Sequence, residues 1–77
     1  MELRQLQTFL TITQMQSFSK AAQILGYSQS AVTVQIRLLE EELNTRLFDR
    51  LGKGVVLTSN GQQFVSYANN ILQEMNR

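Results

Sequence analysis

Gln29, Ser30 and Thr33 stand within one turn and a half of sequence in "YSQSAVTVQIRLLEEEL". Each side chain carries both a donor and an acceptor, and none carries a charge. A glutamine can bond an adenine edge at N6 and N7 together, and a serine or threonine hydroxyl serves either base type. Their small size also lets a backbone approach. Basic residues flank them. No acidic residue lies between Lys20 and Arg37, "EEE" follows at 40–42, and Arg46, Arg50 and Lys53 are opposed only by Asp49. The net charge of +1 says little about a partner. Two short basic segments nevertheless give a nearly neutral chain a local positive surface.

These residues need elements to position them. Residues 2 to about 15 read as a helix, with Leu3, Leu6, Leu10 and Thr13 along one stripe and Phe9 and Ile12 widening it. The break falls at Gln16-Ser17, and Ser17 caps a short second helix, Phe18 to Leu25, whose inner face is Ala21, Ala22 and Leu25. The alanines let a neighbouring helix come close. Gly26 takes the left-handed position that ends this helix, and Ser28 caps the next. The third helix has a buried stripe of Val32, Ile36, Leu39 and Leu43 and an opposite stripe of Ser30, Thr33, Val34, Arg37 and Glu41, with Asn44 as its left-handed stop. "RLFDR" and "VVLT" then read as short strands of a hairpin, with "LGKG" between them and Lys53 at the tip. Thr58 caps a fourth helix. Its apolar stripe is Phe64, Val65, Ala68, Ile71, Leu72 and Met75, and Gly61 is a tolerated weakness in its first turn.

Composition narrows the function classes. The chain has 77 residues, one domain at most, with 43% hydrophobic residues and no proline. Cysteine and histidine are absent, which removes disulfides, zinc sites built on those residues and histidine acid–base catalysis. No histidine is present to activate a hydroxyl nucleophile, so an enzyme is not expected. No apolar run approaches the ~20 residues of a membrane span, and the N-terminus lacks the layout of a signal peptide. The missing cysteines agree with a reducing cytoplasm.

Helix, helix, tight turn, helix and a basic-tipped hairpin make the layout of a winged helix-turn-helix. Ala22, Gly26 four residues later and Val32 six after that fit a close helix crossing that projects the third helix outward, where its first half can enter a major groove. The segments "MELRQLQTFL", "SFSKAAQILGYSQSAVTVQIRLLEEEL", "RLFDR" and "LTSNGQQF" together resemble the N-terminal DNA-binding domain of a LysR-type bacterial transcriptional regulator, over essentially the whole chain. The resemblance implies a mainly α fold: three helices and a two-stranded wing over 1–58, then a long linker or dimerisation helix over 59–77, cut short here. It also implies double-stranded DNA as partner, a homodimer joined through the linker helix, tetramers of the full-length protein, and a cytoplasmic, nucleoid-associated location. A small-molecule inducer would bind only an effector domain absent here, and no cofactor or metal is expected in this fragment.

Carried over position by position, the resemblance puts Gln29, Ser30, Thr33 and Val34 at the major groove. It puts Lys53 at the wing tip; the residues themselves add Ser28, Arg37 and Lys20 as backbone candidates and Arg50 as a second wing candidate. Val34 stands where the family often has arginine, which trades a phosphate or guanine contact for a group suited to a thymine methyl. Asn44 replaces a common glycine and Ser59 a common proline. Plainer readings stay open beside these. Arg37 either meets phosphate or pairs with Glu41 at i+4. Lys20 is otherwise ordinary surface, and Arg50 otherwise pairs with a glutamate. The glutamates at 40–42 lie where the third helix should be leaving the DNA, and they repel phosphate there. Phe64, Val65, Ala68, Ile71, Leu72 and Met75 are the dimerisation residues, with packing onto their own domain as the alternative. For the chain as a whole, the rival is a helix-turn-helix module that binds protein rather than DNA.

Overall fold

The computed structural model describes residues 1–49 and 54–75. Four helices and one antiparallel strand pair follow in the order α1 (Leu3–Met15), α2 (Phe18–Leu25), α3 (Gln29–Leu43), β1 (Phe48–Asp49), β2 (Val56–Leu57) and α4 (Ser59–Met75). The fold is mainly α, a winged helix-turn-helix continued by a long helix.

Each helix boundary has a local cause. Glu2 and Gln5 form a reciprocal capping box at the start of α1. Ser17 Oγ accepts the Lys20 amide at 3.0 Å, and Ser28 Oγ accepts the Ala31 amide at 3.1 Å. Thr58 Oγ1 accepts the Gly61 amide at 2.9 Å, so all three expected hydroxyl caps are formed. The stops are left-handed residues: Gln16 at φ 53°, Gly26 at φ 77° and Asn44 at φ 55°. Gly26 takes that conformation without a Cβ penalty, and its amide donates to the Ala22 and Gln23 carbonyls.

The core is built from Leu6, Phe9, Ile12, Ala21, Ala22, Val32, Ile36, Leu39, Leu47, Phe48 and Ala68. The α3 stripe falls as the spacing predicts, except that Leu43 is only half-buried. The α1 stripe is rotated from its predicted centre. Phe9 and Ile12 lie at its middle, Leu10 and Thr13 are half-buried, and Leu3 is exposed. The reason is that α1 packs against α2, α3 and α4 together, so its buried face is wide and even takes in Gln5 and Thr8. Thr8 Oγ1 donates to Gln35 Oε1 at 2.6 Å, which satisfies its buried hydroxyl across the α1–α3 seam. Aromatic rings join the remaining elements. Phe9 lies 5.4 Å from Phe48 and 5.3 Å from Phe64, and Phe18 lies 5.6 Å from Phe48.

The hairpin pairs Phe48 with Leu57 and Asp49 with Val56. Gly54 has φ 102°, a conformation that favours glycine. Gly61 departs from its expected role as a tolerated weakness. A Cβ at that position would lie 2.2 Å from the Leu47 carbonyl oxygen. No side chain fits, so α4 can sit directly on the chain leaving α3 only because residue 61 is glycine.

Candidate nucleic-acid interface

The front of α3 is a solvent-facing surface with a fixed back. Val32, Ile36 and Leu39 are fully buried and hold one side of the helix in the core. On the other side Gln29, Ser30 and Val34 are exposed and Thr33 is half-exposed. Val34 keeps 40% of its surface open, enough for an apolar contact at the front. The four residues expected to read bases therefore share one accessible face, as the i, i+3, i+4 spacing demands. The helix N-terminus adds its partial positive charge beside them.

Two depressions border this face, and Thr33 lines both. One, of about 240 Å³, lies between the start of α3 and the root of the wing, and is lined by Phe18, Gln29, Thr33, Phe48, Asp49, Gly54 and Val55. The other, of about 500 Å³, runs toward the end of α3 past Arg37 to Arg46. Arg46 was not among the expected DNA contacts. Its signal in the sequence was its membership of the basic segment after α3, and what brings it back along the helix is Glu40, whose Oε2 lies 3.8 Å from Arg46 Nε.

The backbone-contact candidates are placed differently from one another. Ser28 Oγ accepts the cap bond and lies 3.2 Å from Ser30 Oγ. Arg37 is exposed, with Nε 3.9 Å from Glu41 Oε2, so the i+4 pair exists but is long and screened by solvent. Lys20 is exposed on α2 and lines neither depression. Arg50 and Lys53 fall outside the described residues. The glutamate run is not one repulsive block. Glu40 is 7% exposed and turned inward, where its Oε2 accepts the Leu47 and Phe48 amides at 2.7 and 3.3 Å. Glu42 meets the N-terminal ammonium at 2.7 Å. Glu41 is the member of the run most available to repel phosphate.

On α4, Ala68 is fully buried in the chain's own core. Phe64, Val65, Ile71 and Leu72 are half-buried against that core, and Met75 is 61% exposed. Among the described residues, no helix is long and apolar enough to cross a membrane, and no group of three or more His, Cys, Asp or Glu is placed to hold a metal ion.

The family model for "Bacterial regulatory helix-turn-helix protein, lysR family" matches residues 3–62. The chain belongs to the lysR family. An uncharacterised HTH-type transcriptional regulator of Bacillus subtilis (strain 168), YwqM, is 51% identical over 72 residues, 94% of this chain and 25% of that protein. The chain thus spans about a quarter of the length of the curated relatives it matches. Two solved structures align closely. The BenM DBD/catB site 1 DNA complex has a TM-score of 0.94 at 39% identity, covering 99% of this chain and 85% of that one. The CbnR DBD–DNA complex has a TM-score of 0.95 at 35% identity, covering 100% and 88%. This lysR-family chain is a winged helix-turn-helix, and the curated relatives it matches are HTH-type transcriptional regulators.

Proposed function

We infer that this lysR-family chain is a sequence-specific DNA-binding domain of a bacterial transcriptional regulator, with the front of α3 in the major groove and the wing at the adjoining backbone or minor groove. One observation carries the reading. Gln29, Ser30, Thr33 and Val34 form a continuous accessible face on a helix whose opposite side is locked in the core. A rigid helix with short bifunctional side chains forward is what base-edge readout requires. The close fit to two domains solved with DNA supports the same role.

Within that reading, Gln29, Ser30 and Thr33 bond base edges, and Val34 packs on a thymine methyl. Arg37, the Ser28 hydroxyl proton and the basic wing residues Arg50 and Lys53 meet phosphate, which gives affinity but no choice of sequence. The α4 helix serves as a linker that joins two copies through Phe64, Val65, Ile71, Leu72 and Met75. Ala68 supports that helix from inside its own domain. The full-length protein works in the cytoplasm, at the nucleoid, as a dimer or tetramer, and its small-molecule inducer binds outside this chain.

Fluorescence anisotropy with random duplex DNA at several salt concentrations tests the reading. Binding should weaken steeply as salt rises, because phosphate contacts release counterions. Absence of any salt-dependent binding would contradict it and favour the protein-interaction module.

A further inference from the structure

A second arrangement, at the C-terminal end of α3, ties α3 to α4 through the four residues 45–48. From the α3 side, buried Glu40 accepts the Leu47 amide at 2.7 Å and the Phe48 amide at 3.3 Å, and its carbonyl accepts the Thr45 amide at 3.1 Å. From the α4 side, Thr58 Oγ1 donates to the Arg46 carbonyl at 2.6 Å, and the Thr58 amide donates to the Leu47 carbonyl at 3.0 Å. Asn60 Nδ2 donates to Thr45 Oγ1 at 2.7 Å. Gly61 presses the α4 backbone onto the same Leu47 carbonyl, where a Cβ has no room. Every residue of the segment is thus bonded to one helix or to both.

These bonds do something that the apolar packing does not. Burial of Phe64 and Ala68 holds α4 against the domain but is non-directional. Hydrogen bonds weaken steeply as they leave alignment, so a set that grips one short segment from two sides fixes an angle. We propose that Glu40, residues 45–48, Thr58 and Asn60 form a strut that sets the angle between the base-reading helix and α4. In two copies joined through α4, that angle sets the spacing and relative orientation at which the two α3 helices accept their half-sites. The proposal rests on the dimer reading above. It makes Thr58 and Asn60 positioning residues for site selection, although neither faces the bases.

The test uses the chain with duplexes carrying half-sites first selected from randomised DNA. One duplex series holds two half-sites with the spacer changed one base pair at a time, and one duplex holds a single half-site. The wild-type chain should show a sharp spacing optimum, since half-site separation is set by protein geometry. Thr58→Val combined with Asn60→Ala should flatten the spacing profile while single-half-site affinity stays within about two-fold, because no base-facing side chain has changed. Thr58→Ser, which keeps the hydroxyl, should restore the profile. A folded double variant with the wild-type profile would overturn the strut, as would spacing selectivity and half-site affinity falling by the same factor. If the double variant does not fold, Asn60→Ala alone, which loses one exposed bond, decides between the same outcomes. A wild-type chain with no preference for paired over single half-sites would overturn the dimer reading and the strut with it. A wild-type preference that the variants retain overturns the strut alone.

Discussion

At the scale of single residues, side-chain type told most about the surface and least about the buried polar groups. Gln29, Ser30 and Thr33 were legible because a helical period sets them apart from buried Val32 and Ile36, and Gln29 and Ser30 are exposed while Thr33 is half-exposed. Glu40 was not legible. In "EEE" three identical charges look equivalent, and only the path of the chain after Asn44 brings two backbone amides to one of them. Glu40→Ala should destabilise the domain by about 2–3 kcal/mol, since it leaves buried amides without their charged acceptor. A urea denaturation midpoint indistinguishable from wild type would refute that role. Val34 makes a different kind of prediction. Sites selected from randomised duplexes should carry a thymine opposite it, and Val34→Ala, which removes methyl groups from that contact, should relax the preference by about 1 kcal/mol. Selected sites with no base preference at that position would contradict the methyl contact.

At the scale of elements, the caps and stops were the most readable feature. Ser17, Ser28 and Thr58 each accept the amide three residues on, and Gly26 and Asn44 both turn left-handed, because these effects depend on a few neighbours in sequence. The orientation of α1 was less readable. Its sequence period is compatible with a stripe centred on Leu3 and Leu10. The packing of three other helices around α1 selects the Phe9 and Ile12 side instead. Gly61 shows the same limit more sharply. Helix propensity marks it as a defect, whereas the tertiary contact with Leu47 makes it a requirement. Gly61→Ala should therefore destabilise by about 1–3 kcal/mol despite alanine's better helix propensity. A thermal melt showing a stabilised variant would contradict the close seat of α4.

At the scale of the whole molecule, the first part of α4 belongs to the same core as the helix-turn-helix, through Phe64 and Ala68, while Met75 at the far end of the described helix is open. A polar double replacement at Ile71 and Leu72 is expected to convert dimers to monomers, which sedimentation equilibrium would show; a variant that still sediments as a dimer would refute the α4 interface. The fold and the exposure of the α3 front were legible because both follow from local periodicity. The α4 register and the bonds of residues 45–48 depend on groups from three elements meeting, and no short-range pattern encodes that. The decisive property is the choice of DNA sequence by the exposed front of α3. Its most direct measurement is the ratio of affinities for a selected site and a random duplex, at one salt concentration, for wild type and Gln29→Ala. The ratio should fall by about 1–3 kcal/mol in free-energy terms while random-duplex affinity stays the same. An unchanged ratio, or an equal loss on both duplexes, would contradict the claim.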